Sequence, residues 1–288
     1  MKKRILGAAL AALTVASLGL FGCSGNSTSA SSSASSSSAA STEQTVLTVG
    51  ASPTPHAEIL TEVVKPILAD QGIDLEVIEF NDYVLPNTSV EEGEVDANYF
   101  QHIAYLEQFN VENGTHLVEV APVHYEPFGL YPGKTATLEE LQDGATIAVP
   151  NDTTNEARAL LLLEQAGLIT LDPDAGITAT KEDIVENPHN IDIVEVEAAT
   201  LPRMLEDVDF AAINSNYAIP AGLTVYEDAL VYEDPEGTAG QTYANILVVR
   251  EGNENDPAIQ ALAEALQSDA VKQYLEQTYP DGSVQPVF

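Results

Sequence analysis

The sequence predicts an α/β fold with mainly parallel sheets. Strand-like apolar runs alternate with helical patterns from residue 45 almost to the C-terminus. No repeat of short fixed period interrupts that alternation. A passage containing Gly and Pro, "YEPFGLYPGKTATLEELQDGATIAVP", falls midway and marks where the chain can leave one lobe for another.

The elements run as follows. Residues 1–22 open with "MKKR", continue with the short apolar run "ILGAALAALTVASLGLF", and read as a secretory signal; the run is short for a membrane-spanning helix. The next residue, Cys23, is the one cysteine of the chain, so no internal disulfide can explain it. "LFGC", Leu20 to Cys23, resembles the lipobox of bacterial lipoproteins. That resemblance implies cleavage before Cys23 and acylation of its thiol, with palmitate among the acyl groups expected. Residues 23–44 are almost wholly Ser, Ala and Thr and cannot bury enough apolar surface to offset ordering, so they read as a flexible tether. A lipid, a leash and a folded body from residue 45 would hold a domain at the extracytoplasmic face of a cell membrane without inserting it.

In the body, β-rich runs are expected at 45–51, 73–80, 115–123, 145–150, 191–196, 208–214 and 244–250. Helical patterns are expected at 56–72, 103–114, 155–168, 201–208 and 257–279. Without residues 1–22 the chain carries 7 cations against 45 acids, a formal charge of −38. That balance argues against nucleic acid and against peripheral attraction to anionic lipid, both of which need a basic surface. It fits a solvated, self-repelling exterior.

Ligands of open α/β sheets bind beyond the carboxyl ends of strands, so the segments after each strand carry the functional reading. After residue 80 the chain supplies Tyr83, then Phe100, His102 and Tyr105, the last two sharing a face if 101–108 is helical. After "TIAVP" comes "NDTTNEARALLLL", with Asn or Thr expected as helix cap and Arg158 early in the helix. Asn214 follows "VDFAAI", and Asn245 lies in the last strand. Singly, each has an ordinary explanation: aromatics belong to the core, Asn to turns, and Arg158 can pair with Glu156, Glu164 or another carboxylate. As a set they suit a free amino acid. A guanidinium suits a carboxylate, amide oxygens suit an ammonium, and aromatic faces suit a thin apolar tail. If Arg158 faces an open cleft, its loss should cost binding and leave stability nearly unchanged; a structural ion pair would give the reverse.

The segments "GASPTPHAEIL", "FNDYVLPNTSVEEGEVDANYFQHIAYLE", "VAPVHYEPFGLYP", "IAVPNDTTNEARALLLLEQAGLI", "VDFAAINSNYA" and "ANILVVRE" resemble the NlpA/MetQ family of methionine-binding lipoproteins from about residue 46 onward. The resemblance implies a two-lobed periplasmic-binding-protein-like fold (type II), with a ligand cleft between lobes joined by crossover strands. Lobe 1 would comprise 45–125 plus 242–288, and lobe 2 would comprise 126–241. It implies that Tyr83, Phe100, His102 and Tyr105 surround a thioether, that Arg158 takes the carboxylate, and that Asn214 and Asn245 are polar ligand contacts. Glu156, where a glycine is usual, would sit beside Arg158 and weaken its field. The implied partners are methionine or a related amino acid and the permease and ATPase subunits of an ABC importer, with no cofactor or metal. Alternatives are another amino acid, a methionine-containing dipeptide, or an adhesive or structural surface lipoprotein. An enzyme is not expected: H-E-x-x-H, G-x-S-x-G, Walker loop and Cys pair are all missing, and "DPDAG" at 172–176 lacks the spacing of a calcium loop.

Overall fold

The computed structural model describes residues 44–234 and 239–288. The signal, Cys23 and the tether up to residue 43 lie outside the described residues. Thirteen strands are present among those described: β1 Thr45–Ala51, β2 Ile73–Glu79, β3 Ala97–His102, β4 Leu117–Tyr125, β5 Gly129–Pro132, β6 Thr146–Pro150, β7 Thr170–Leu171, β8 Ile184–Glu186, β9 Asp192–Val196, β10 Phe210–Ile213, β11 Val231–Tyr232, β12 Asn245–Arg250 and β13 Gln285–Pro286. They form a six-stranded sheet ordered β13-β4-β12-β3-β1-β2, a five-stranded sheet ordered β11-β5-β10-β6-β9, and the small pair β7-β8. Each large sheet organises one lobe of an α/β two-lobed fold. The chain passes between the sheets twice, from β4 to β5 through residues 126–128 and from β11 back to β12.

The expected strands all form, but the sheets are mixed rather than mainly parallel. β1 runs parallel to β2 and β3, and β6 runs parallel to β9 and β10. β12 is antiparallel to β3 and β4, and β5 is antiparallel to β10 and β11. The reason is connectivity. β5 and β12 enter their sheets directly from the other lobe, so no crossover helix imposes a parallel return.

Several elements went unread in the sequence. Among them, α2 (Leu85–Glu92) and β3 lie between the expected strand at 73–80 and the expected helix at 103–114. All six residues of β3 are buried, so it shows no in–out alternation. Its polar members are satisfied internally: Asn98 and Gln101 exchange hydrogen bonds with each other and with Asn87 at 2.6–2.9 Å. Other boundaries shift for local reasons. The 56–72 pattern opens with wide π-type turns, Leu60–Val64, before tightening into α1 (Lys65–Ala69). α3 spans Ile103–Asn113, so His102 ends a strand instead of lying on a helix with Tyr105. α4 (Thr153–Gln165) is capped by Asp152, not by Asn or Thr; the carboxylate accepts the Asn155 amide at 3.0 Å. α5 (Leu201–Met204), α6 (Ser215–Ala218) and α7 (Ala239–Thr242) are single turns. The 257–279 pattern divides into α8 (Pro257–Leu266) and α9 (Asp269–Thr278), because Ser268 caps a new helix by accepting from the Val271 amide.

Separate apolar cores lie behind the two sheets. Leu47, Val49, Leu247 and Val249 pack with Leu262, Leu266 and Leu275 in the first. In the second, Ile147, Val149 and Phe210 pack with Ala159, Leu160, Leu162 and Leu163 of α4. The leucine run therefore anchors the helix that carries Arg158. Among the described residues no helix is long and apolar enough to cross a membrane.

Candidate ligand-binding site

A cavity of about 360 Å³ lies between the two sheets. All seven expected binding residues line it: Tyr83, Phe100, His102, Tyr105 and Asn245 from the first sheet's side, Arg158 and Asn214 from the second's. Gln101, Glu126, Asn155, Ser215 and Asn216 also line it, and the sequence reading missed these five.

The aromatic wall is held from its ends. Asp82 accepts the Val84 and Leu85 amides at 2.8 Å each, which fixes the turn carrying Tyr83. Tyr105 donates its hydroxyl to the Tyr83 carbonyl at 2.9 Å. The rings of Tyr83, Phe100 and Tyr105 then stand with centroids 5.8–6.0 Å apart, and Tyr217 approaches Tyr83 at 5.2 Å from the second lobe.

His102 joins the lobes. Its Nδ1 accepts the Tyr105 amide at 3.1 Å, which puts the ring proton on Nε2, and Nε2 faces Asn155 Oδ1 at 3.4 Å. Asn214 donates to the same Asn155 oxygen at 2.9 Å, and Asn155 in turn donates to Asp152 at 2.8 Å. Asn155 is thus the polar joint of the cavity. Further cross-cleft bonds run from Tyr83 to Asn216 at 2.6 Å, from Thr153 to Glu112 at 2.8 Å and from Tyr217 to the Asn81 carbonyl at 3.2 Å.

Arg158 is buried and already paired with a carboxylate, though with neither of the two named from sequence, Glu156 and Glu164. Its Nε donates to Glu233 Oε1 at 2.6 Å; its Nη2 donates to Glu233 Oε2 at 2.6 Å and to the Glu126 carbonyl at 2.9 Å. Nη1 is in none of these three bonds. Tyr243 stacks against the guanidinium with its centroid 4.3 Å away, and Phe128 lies at 5.0 Å. Burial alone would lower the guanidinium pKa; the Glu233 carboxylate more than offsets this, so the charge is kept. Glu164 accepts the Leu171 amide at 2.8 Å instead. Glu156 accepts the Lys181 amide at 2.9 Å and is not among the residues that line the cavity.

Behind Asn245 lies a second buried polar group. Asn245 Oδ1 accepts from His56 Nε2 at 2.9 Å, and His124 Nε2 donates to Glu126 Oε1 at 2.7 Å. Tyr99 donates to the other nitrogen of His124. His56, His124 and Glu126 hold three possible metal-donor atoms within 4.8 Å of one another. The 2.7 Å contact identifies a hydrogen bond, since two ligand atoms ~2.0 Å from a tetrahedral metal would stand about 3.3 Å apart. Burial pushes His56 down to about 4 and His124 down to about 3.

Two buried cavity-lining atoms have no partner. Asn214 Oδ1 is an acceptor and Asn216 Nδ2 a donor. Buried polar atoms are rarely left so, and both point to a ligand with a donor and an acceptor of its own.

The histidines set a pH dependence. Burial, and then the charge of Arg158, holds His102 down to about 3, against 6.5 when unfolded. A depressed folded value leaves stability intact above 6.5 and removes it as pH falls below, because only the unfolded chain then binds the proton. The loss is up to about 1.4 kcal/mol per pH unit for one group. Ligand-free His102→Gln should therefore show a shallower fall in unfolding free energy than wild type between pH 6 and pH 4. Parallel slopes in denaturant titrations would mean that His102 is charged in the folded protein.

Sequence and fold comparisons converge. The profile of the NlpA lipoprotein family matches residues 47–288. The methionine-binding lipoprotein MetQ of Bacillus subtilis is 43% identical over 84% of this chain and 88% of its own. The D-methionine-binding lipoprotein MetQ of Escherichia coli is 42% identical over 78% and 83%, respectively. The solved structure of a nutrient binding protein from Burkholderia cenocepacia bound to methionine matches with a TM-score of 0.79 at 40% identity, covering 84% of this chain and 100% of that one. With the match running through both sheets and every segment that lines the cavity, the chain belongs to the NlpA lipoprotein family.

Proposed function

We propose that this protein is the lipid-anchored, extracytoplasmic substrate-binding component of an ABC importer, and that it takes free methionine into the cavity between its lobes. The observation that carries the reading is the pair of orphan atoms. An unpartnered acceptor on Asn214 and an unpartnered donor on Asn216 share one small cavity with Arg158 and with a wall of three aromatic rings. A zwitterionic head answers the first three, and an unbranched thioether answers the rings, since sulfur–aromatic contacts contribute about 0.3–1.5 kcal/mol each. The names of the relatives support the same ligand.

In this reading Arg158 holds the carboxylate, Asn214 and Asn245 orient the head, and Tyr83, Phe100, His102 and Tyr105 enclose the tail. The lobes are 45–125 plus 242–288 and 126–241, and they open and close about the two connecting passages. The protein performs no catalysis; it delivers its ligand to permease and ATPase subunits while tethered through Cys23.

Titration calorimetry with D- and L-methionine, leucine, glutamine and glycyl-methionine should give the tightest binding for a methionine enantiomer. Tighter binding of glutamine or the dipeptide would overturn the ligand. Arg158→Ala should weaken methionine binding by about two to three powers of ten, since each ~1.4 kcal/mol is tenfold. It should also destabilise the ligand-free protein by about 3–5 kcal/mol, because Glu233 is left buried and unpaired. Unchanged affinity in the folded variant would remove Arg158 from the ligand site. Cys23→Ala should release the protein from membranes and reduce cellular uptake of labelled methionine. Retention at the membrane with normal uptake would refute the anchor.

A further inference from the structure

An arginine in a small cavity ordinarily brings net positive charge, and such a cavity accepts any small carboxylate of suitable shape. Here that charge is answered from behind. Glu233 is not among the residues lining the cavity, yet its two oxygens take Arg158 Nε and Nη2 at 2.6 Å each. Its position is fixed by two more donors, the Tyr125 hydroxyl at 2.8 Å and the Phe128 amide at 3.0 Å. Glu233 and Arg158 are 7% and 4% exposed, so water screens this pair little.

We propose that Glu233 is a specificity-determining residue. By cancelling the charge of Arg158 it restricts the cavity to ligands that carry their own cation beside the carboxylate, and it refuses monoanions of the same shape. The inference rests on the reading that the cavity takes an amino acid. A monoanion responds to the summed charge around it, so repulsion from Glu233 offsets much of what Arg158 offers. A zwitterion responds to the difference in potential between its two ends. Its carboxylate meets Arg158, and its ammonium meets the free oxygen of Asn214 and the side of the cavity where Glu126 lies. His102, the histidine that lines the cavity, is held neutral by burial.

The test uses two probes with the same tail, methionine and methylthiobutanoate, which lacks the ammonium group. Their dissociation constants are measured by calorimetry at pH 7 on wild type, Glu233→Gln and Glu233→Asp. In wild type methionine should bind far more tightly. In Glu233→Gln the gap should narrow by about tenfold or more, because the monoanion gains most when the nearby negative charge goes. Glu233→Asp, which keeps the charge, should hold the wild-type gap. A gap unmoved in Glu233→Gln overturns the proposal, since a purely structural Glu233 would weaken both probes alike. Should Glu233→Gln fail to fold, wild type alone decides. Methylthiobutanoate should bind no more than about tenfold tighter than methylthiopropylamine, the corresponding cation, and a larger preference for the anion overturns the proposal. Wild-type protein that binds no methionine overturns the amino-acid reading itself; methionine binding with an unmoved gap overturns only the role of Glu233.

Discussion

The buried ion pair between Arg158 and Glu233 is the interaction on which the rest of the site depends. A charge pair taken out of water is costly unless its remaining hydrogen-bonding capacity is met. Here the Glu233 carboxylate receives four bonds, two from Arg158 and one each from Tyr125 and Phe128. These donors come from different parts of the chain. Arg158 rides on α4 in the second lobe, Tyr125 and Phe128 border the outgoing passage between the sheets, and Glu233 lies at the start of the return. The group that lines the cavity is therefore also the group that ties both connecting segments together.

The polar interior follows from this. A chain that buries three histidines, three glutamates and several amides must satisfy nearly all of them internally. It does so through pairs spanning the cleft or the sheet, such as His102 with Asn155 and His56 with Asn245. The exceptions that fall in the cavity, on Asn214 and Asn216, are where that local rule is broken.

Much of the fold was legible because its strands carry apolar runs and its helices a 3.6-residue period. β3 was not, because a strand buried on both faces with Asn and Gln inside shows neither pattern. The mixed strand directions were hidden as well: direction depends on where the chain comes from, and a run such as "ANILVV" reads the same either way. The seven site residues named from sequence meet in one cavity, and the family resemblance identified them as a set. What local reading missed are the residues that act through distant partners. Glu233 is one carboxylate among 45 acids and lies 75 positions from Arg158. Asn155 drew no reading of its own, because the segment was expected to supply only a helix cap, and that role falls to Asp152 three residues earlier. Asn216 had no signal beyond its place after Asn214.

The aromatic wall has a consequence of its own. The chain contains 11 tyrosines and no tryptophan, so its near-ultraviolet emission is tyrosine emission, with no indole to absorb the excitation and mask it. Tyr83, Tyr105 and Tyr217 stand together where the two lobes meet, and Tyr83 reaches across to Asn216. Whatever enters the cavity changes the polarity around Tyr83 and Tyr105, which line it. The protein therefore carries a native optical gauge of occupancy, built from the same phenols that shape the wall and needing no attached dye.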